Sequence, residues 1–146
     1  MRLLALFVFA VALLSLQIQI NSKTDYIHQE ILSASDKLIQ AIEVLQDNPT
    51  EENLSNTRKS YKKIQKYVAY YLPSEEKEID GAPVWGIIED GRIADKIQPH
   101  GLQVIEENLS HDNTLVTSEI ERLKQRVIIV KSKLSKERFS EKDIIE

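Results

Sequence analysis

The stretch Thr50-Glu51-Glu52-Asn53-Leu54-Ser55-Asn56-Thr57-Arg58-Lys59-Ser60-Tyr61-Lys62-Lys63-Ile64-Gln65-Lys66-Tyr67-Val68-Ala69-Tyr70-Tyr71-Leu72-Pro73 decides the fold. Leu54, Thr57, Tyr61, Ile64, Val68 and Tyr71 follow one another at steps of three and four. On a period of 3.6 residues that spacing puts all six on one helical face with polar flanks. Such a stripe calls for an antiparallel helical neighbour to cover it. Thr50 suits an N-cap, and Glu51 and Glu52 fall in the first turn, where the helix dipole favours negative charge. Pro73 ends the pattern, so the spacing predicts a helix over residues 51–72.

The same period appears on both sides. Upstream, Ile27, Ile31, Ala34, Leu38, Ala41 or Ile42, and Leu45 form a stripe over residues 24–46. Ser22 with Asp25 is the expected cap at its start, and Asp47-Asn48-Pro49 is the stop. Downstream, Val116, Ile120, Leu123, Val127, Val130 and Leu134 mark a helix over residues 114–137, with Ser118 and Glu121 as a capping box if it starts late. A short helix is expected from Pro99 or His100 to Leu109. Residues 74–99 are the least regular part: Ser74-Glu75-Glu76 is expected to start a short turn of helix, and Gly81-Ala82-Pro83-Val84-Trp85-Gly86 cannot be regular helix. No stretch alternates as a strand does. The expected fold class is all-α: a helical bundle of three long amphipathic helices plus one short helix, after an N-terminal signal segment.

That segment is residues 1–20. Arg2 is followed by an apolar run from Leu3 to Leu14, the charged and hydrophobic regions of a secretory signal. The run falls short of the roughly 20 residues of a transmembrane helix. No A-x-A site follows it, so the segment is expected to be a cleaved signal peptide or, if uncleaved, an anchor at the inner membrane. Residues 21–146 form the expected domain, placed in the periplasm, and membrane contact is expected only through residues 1–20.

Composition narrows the chemistry. The chain has 146 residues and a net charge of −4, too acidic to track a phosphate backbone, so nucleic acid is not expected as a partner. It has no Cys, which excludes disulfides, thiol catalysis, iron–sulfur clusters and covalent haem.

Two segments carry a resemblance. One runs Arg58-Lys59-Ser60-Tyr61-Lys62-Lys63-Ile64-Gln65 and on through Tyr71 and Pro73 to Asp80-Gly81-Ala82-Pro83. The other is Pro99-His100-Gly101-Leu102-Gln103-Val104-Ile105-Glu106-Glu107. Together they resemble the helical region that precedes the di-haem domain in bacterial periplasmic cytochrome c peroxidases, itself similar to the imelysin family of iron-linked helical proteins. The G-x-H-x-x-E signature of imelysins matches Gly101, Gln103 and Glu106, with Gln in the His position. The resemblance implies an imelysin-like accessory or binding module of the cell envelope. Its expected partner is a haem protein or another envelope protein, with no cofactor of its own and no independent catalysis. Two alternatives stay open: an iron- or haem-binding protein of iron uptake, and a fragment of a split or truncated peroxidase whose haem domain lies elsewhere.

The candidate residues have plain structural readings beside these. Pro99, His100, Gly101, Gln103, Glu106 and Glu107 form the candidate binding or structural motif. His100, Gln103 and Glu107 would share a helical face, and with His111 they are the weak candidates for a metal, although Gln is a poor ligand. The start of that helix, with Gly101, would also suit an anion. Glu106 is expected to be a buried carboxylate paired with Arg58, since a buried charge needs a partner. Gly81, Pro83 and Trp85 mark the loop, with Trp85 expected to plug the bundle core. The basic run Arg58, Lys59, Lys62, Lys63 and Lys66 is expected to be a solvated helix face.

Overall fold

The computed structural model describes residues 2–81 and 99–137, with side chains from residue 25 onward. Six helices follow one another there: α1 (Arg2–Asp47), α2 (Glu51–Lys62), α3 (Gln65–Tyr71), α4 (Pro73–Asp80), α5 (Leu102–Asn108) and α6 (Asn113–Leu134). No strand occurs among the described residues.

The stripes form one core. Ile31, Leu38, Ile42 and Leu45 of α1 meet Leu54, Tyr61, Ile64 and Val68 of the α2–α3 arm and Val116, Ile120, Leu123, Val127, Val130 and Leu134 of α6, all buried. Leu102, Ile105 and Ile79 close the end formed by α4 and α5. Two hydroxyls in the α1 contacts are satisfied locally. Ser35 Oγ donates to the Ile31 carbonyl at 2.8 Å. Thr57 Oγ1 lies 2.9 Å from the Asn53 carbonyl and 3.2 Å from the Ala41 carbonyl, so its single proton is shared between α2 and α1.

Several boundaries differ from the sequence expectation. The helix expected to begin at residue 24 is continuous back to Arg2, so no helix start lies at Ser22 or Asp25. The single helix expected over residues 51–72 breaks at Lys63 and Ile64. There the backbone tightens to i→i−3 bonds, Lys63 N–H to Ser60 O and Ile64 N–H to Tyr61 O. The turn resets the arm while Ile64 stays in the core. The short turn expected at Ser74-Glu75-Glu76 is a full helix, α4, which runs on to Asp80 with Pro73 in its first turn, where a missing N–H is harmless. The start of α6 is capped by Asp112, whose Oδ1 accepts from Thr114 and Leu115 N–H at 3.0 and 2.9 Å. Ser118 instead donates to the Leu115 carbonyl, so the expected capping box does not form. Thr50 does cap α2, accepting from Asn53 N–H at 3.3 Å.

Gly81 closes α4, its N–H donating to the Lys77 carbonyl at 3.0 Å. Pro83 and Trp85 lie outside the described residues.

Candidate functional site

α5 is a seven-residue helix held in place by one glycine. Gly101, its N-cap, has φ +79°, a region that favours glycine. A Cβ there would collide with the Ile79 carbonyl oxygen at the end of α4. The close approach delivers Leu102 and Ile105 to the core.

The polar groups at this junction are filled from within the chain. Glu119 of α6 is buried, 7% exposed. Its Oε2 accepts the Gly101 N–H at 3.0 Å, and its Oε1 lies 3.2 Å from His100 Nδ1. The place an anion could take at the α5 start is therefore filled by a carboxylate of the protein itself. His100 precedes α5 and turns to α6, so it does not share a face with Gln103 and Glu107. Those two pair with each other, Gln103 Nε2 donating to Glu107 Oε1 at 3.0 Å. His111 is exposed in the turn after α5. Among the described residues no three His, Asp or Glu side chains are gathered as a metal site.

Arg58 of α2 and Glu106 of α5 do meet: Nη2 donates to Glu106 Oε2 at 2.7 Å. The expectation of a buried pair needs correcting, because the Glu106 side chain is 61% exposed. α5 rests on Leu102 and Ile105, and one residue further its carboxylate turns past the contact into solvent. The covered partner of Arg58 is Asp80, 14% exposed, whose Oδ1 accepts from Nη1 at 3.1 Å. Arg58 thus ties α2 to the ends of α4 and α5. Its buried Nε has no hydrogen-bond partner.

A cleft of about 370 Å³ opens over this bridge, lined by Glu51, Leu54, Ser55, Arg58, Glu106, Leu109 and Ser110. Two leucines form an apolar wall, and carboxylates and hydroxyls surround it. The arrangement suits contact with an amphipathic surface.

Beneath Arg58, one helical turn on, Tyr61 is fully in the core and its hydroxyl has no partner. Burial first, and then the charges of Glu76 and Asp80, push its pKa well above the usual tyrosine value.

On the opposite side of α4 a second ionic network joins it to α6. Lys133 Nζ donates to Glu75 Oε1 at 2.6 Å, and Arg122 Nη2 donates to Glu78 Oε2 at 2.8 Å. Arg126 lies between, 3.5 Å from Glu75 and 3.4 Å from Glu78. The bond from Arg122 holds the Glu78 carboxyl below the usual range; burial works against it, and the nearby Arg126, Arg122 and His100 each add a smaller lowering effect.

Sequence reasoning missed Glu119 and Glu75. Glu119 carries a usable signal: it lies three residues after Val116, on the edge of the apolar stripe, where a charge must find partners. Glu75 carries none, because an acidic residue at a helix start is expected without any partner.

No protein family matches the chain, and no curated protein and no solved structure shows significant similarity to it.

Proposed function

We propose that this chain is an exported helical binding module of the bacterial cell envelope that docks a haem protein, through the cleft between α2 and α5, without catalysis of its own. The resemblance to the region preceding the di-haem domain of cytochrome c peroxidases supplies the partner class. The observation that supports the site is the Arg58 bridge. Arg58, Asp80 and Glu106, three residues of the resembling segments, meet across 3.1 and 2.7 Å at the cleft. There they order three helices around an apolar wall of Leu54 and Leu109. Arg58 and Glu106 engage their charges in the ion pairs, and half-buried Leu109 is left for contact beside the exposed Glu51.

The test is recovery of haem proteins from envelope extract by the full chain and by its Ser55→Arg variant, which fills the cleft from an exposed position on α2. A haem protein is expected with the unaltered chain and not with the variant. Equal recovery by both, or recovery of no haem protein, removes the reading. Turnover of hydrogen peroxide by the chain alone also removes it.

A further inference from the structure

α1 is far longer than the bundle it belongs to. It runs antiparallel to α6, as three contacts mark: Gln46 with Glu121 at 3.1 Å, Glu43 with Lys124 at 3.0 Å, and Asp36 with Lys131 at 2.5 Å. Continuing that register, the end of α6 at Leu134 falls level with α1 near Ser33. α2 also runs antiparallel to α1, with Thr57 against Ala41. Among the described side chains, Ile27 is the first of α1 packed against the core. Yet the α1 helix extends back to Arg2 without a break. The portion before Ile27 is about 37 Å of helix that outruns the described helices beside it.

The sequence of that portion indicates what covers it. The twenty residues from Leu3 to Ser22 carry no charge, and fifteen of them are apolar. The apolar run from Leu3 to Leu14 does not stop there structurally, because the helix carries Leu16, Ile18 and Ile20 onward in the same rod. Twenty helical residues span about 30 Å, the hydrocarbon thickness of a bilayer. Arg2 lies at one end and Lys23 at the other. A cation ahead of the apolar span is the arrangement that keeps the N-terminus inside and sends the downstream chain across. Among the residues with described side chains no helix is long and apolar enough to cross a membrane; the span in question lies before them.

Two further observations agree. No Gly or Pro interrupts the chain before Pro49, and no pair of small residues stands at the −3 and −1 positions of a cleavage site near residues 19–22. The end of the bundle from which α1 emerges also carries an exposed aromatic, Tyr26, which is 70% exposed. Tyrosine is enriched at the headgroup level of membranes.

We propose that residues 3–22 are retained as a membrane anchor inserted in the lipid bilayer, continuous with α1, which holds the bundle directly against the outer face of that membrane. The proposal rests on the reading of the chain as exported. With Ile27 packed against the core so soon after Ser22 and the helix unbroken between them, no flexible linker separates anchor from bundle, and Tyr26 faces the lipid headgroups.

The test uses the full chain with a C-terminal epitope in a Gram-negative host. Three properties are read: sedimentation with carbonate-washed membranes, the mass of the N-terminus, and digestion of the epitope by protease added to spheroplasts. The expected result is membrane-bound protein that keeps Arg2 and has a digestible epitope. Ile20→Ala with Ser22→Ala, which creates a cleavage site, is expected to yield a shortened, soluble product. Soluble wild-type protein beginning near residues 19–23, with export intact, overturns the anchor alone. Soluble protein that keeps Arg2 and is protected inside spheroplasts overturns the anchor and the export reading together.

Discussion

The carboxylate of Glu119 accepts the backbone N–H of Gly101 at 3.0 Å inside the bundle, eighteen residues apart in sequence. It joins the start of α5 to the middle of α6. Glu119→Ala leaves that N–H buried and unsatisfied, and the expected loss is about 2 kcal/mol of unfolding free energy. Urea denaturation of the variant measures it, and a loss under about 0.5 kcal/mol would show that water replaces the carboxylate.

Gly101 itself tolerates no side chain, for two independent reasons: φ is +79°, and a Cβ would meet the Ile79 carbonyl. Gly101→Ala is expected to destabilise by about 2 kcal/mol or more, since the backbone of α4 or α5 must move. A thermal melt that matches wild type would contradict the close approach.

The two carboxylates on Arg58 are unequal. Glu106 is mostly in solvent and Asp80 is largely covered. Glu106→Ala should change stability by less than about 1 kcal/mol, as exposed ion pairs do. Asp80→Ala should cost about 2 kcal/mol or more, because it strips the covered partner from a guanidinium whose Nε is already unsatisfied. Chemical denaturation of the two single variants decides the order.

Acid should weaken the junction between α4 and α6. The folded Glu78 carboxyl titrates below the ordinary value of 4.5. Its contribution to stability is therefore fully present above that value and is lost as the pH falls through the folded pKa. Melting temperature should drop below pH 4.5, and Glu78→Gln should make that drop shallower. Identical slopes for both proteins would show that the Arg122 pair does not contribute.

Tyr61 offers the opposite sign. Its hydroxyl is buried without a hydrogen-bond partner. Tyr61→Phe removes an unsatisfied group at almost constant volume, so it should leave stability unchanged or raise it by up to about 1 kcal/mol. A clear loss in a denaturation curve would reveal a partner for the hydroxyl.

Much of the core could be read in advance. Every position of the α6 stripe, from Val116 to Leu134, is buried, as are Leu54, Thr57, Tyr61, Ile64 and Val68. A helical period is a local property, and one face must be covered whatever covers it. The Arg58–Glu106 contact was also foreseeable, whereas its exposure was not. Exposure depends on how α5 is rotated against α6, and Gly101 sets that rotation through a collision with a carbonyl on another helix. The break at Ile64 left no mark in the stripe, since a tightened turn shifts the backbone while the apolar spacing continues.

By itself the sequence determined an all-helical chain, the faces its helices bury, and a leading apolar span between Arg2 and Lys23. Tertiary structure alone decided that His100 serves α6 and not α5, that Glu119 fills the place an anion would take, and that Asp80 is the covered partner of Arg58. The physical reason is range. Periodicity and charge-free length are written within a few turns of one helix, whereas a buried carboxylate's partners come from backbone and side chains far along the chain, brought within 3 Å only when the helices pack.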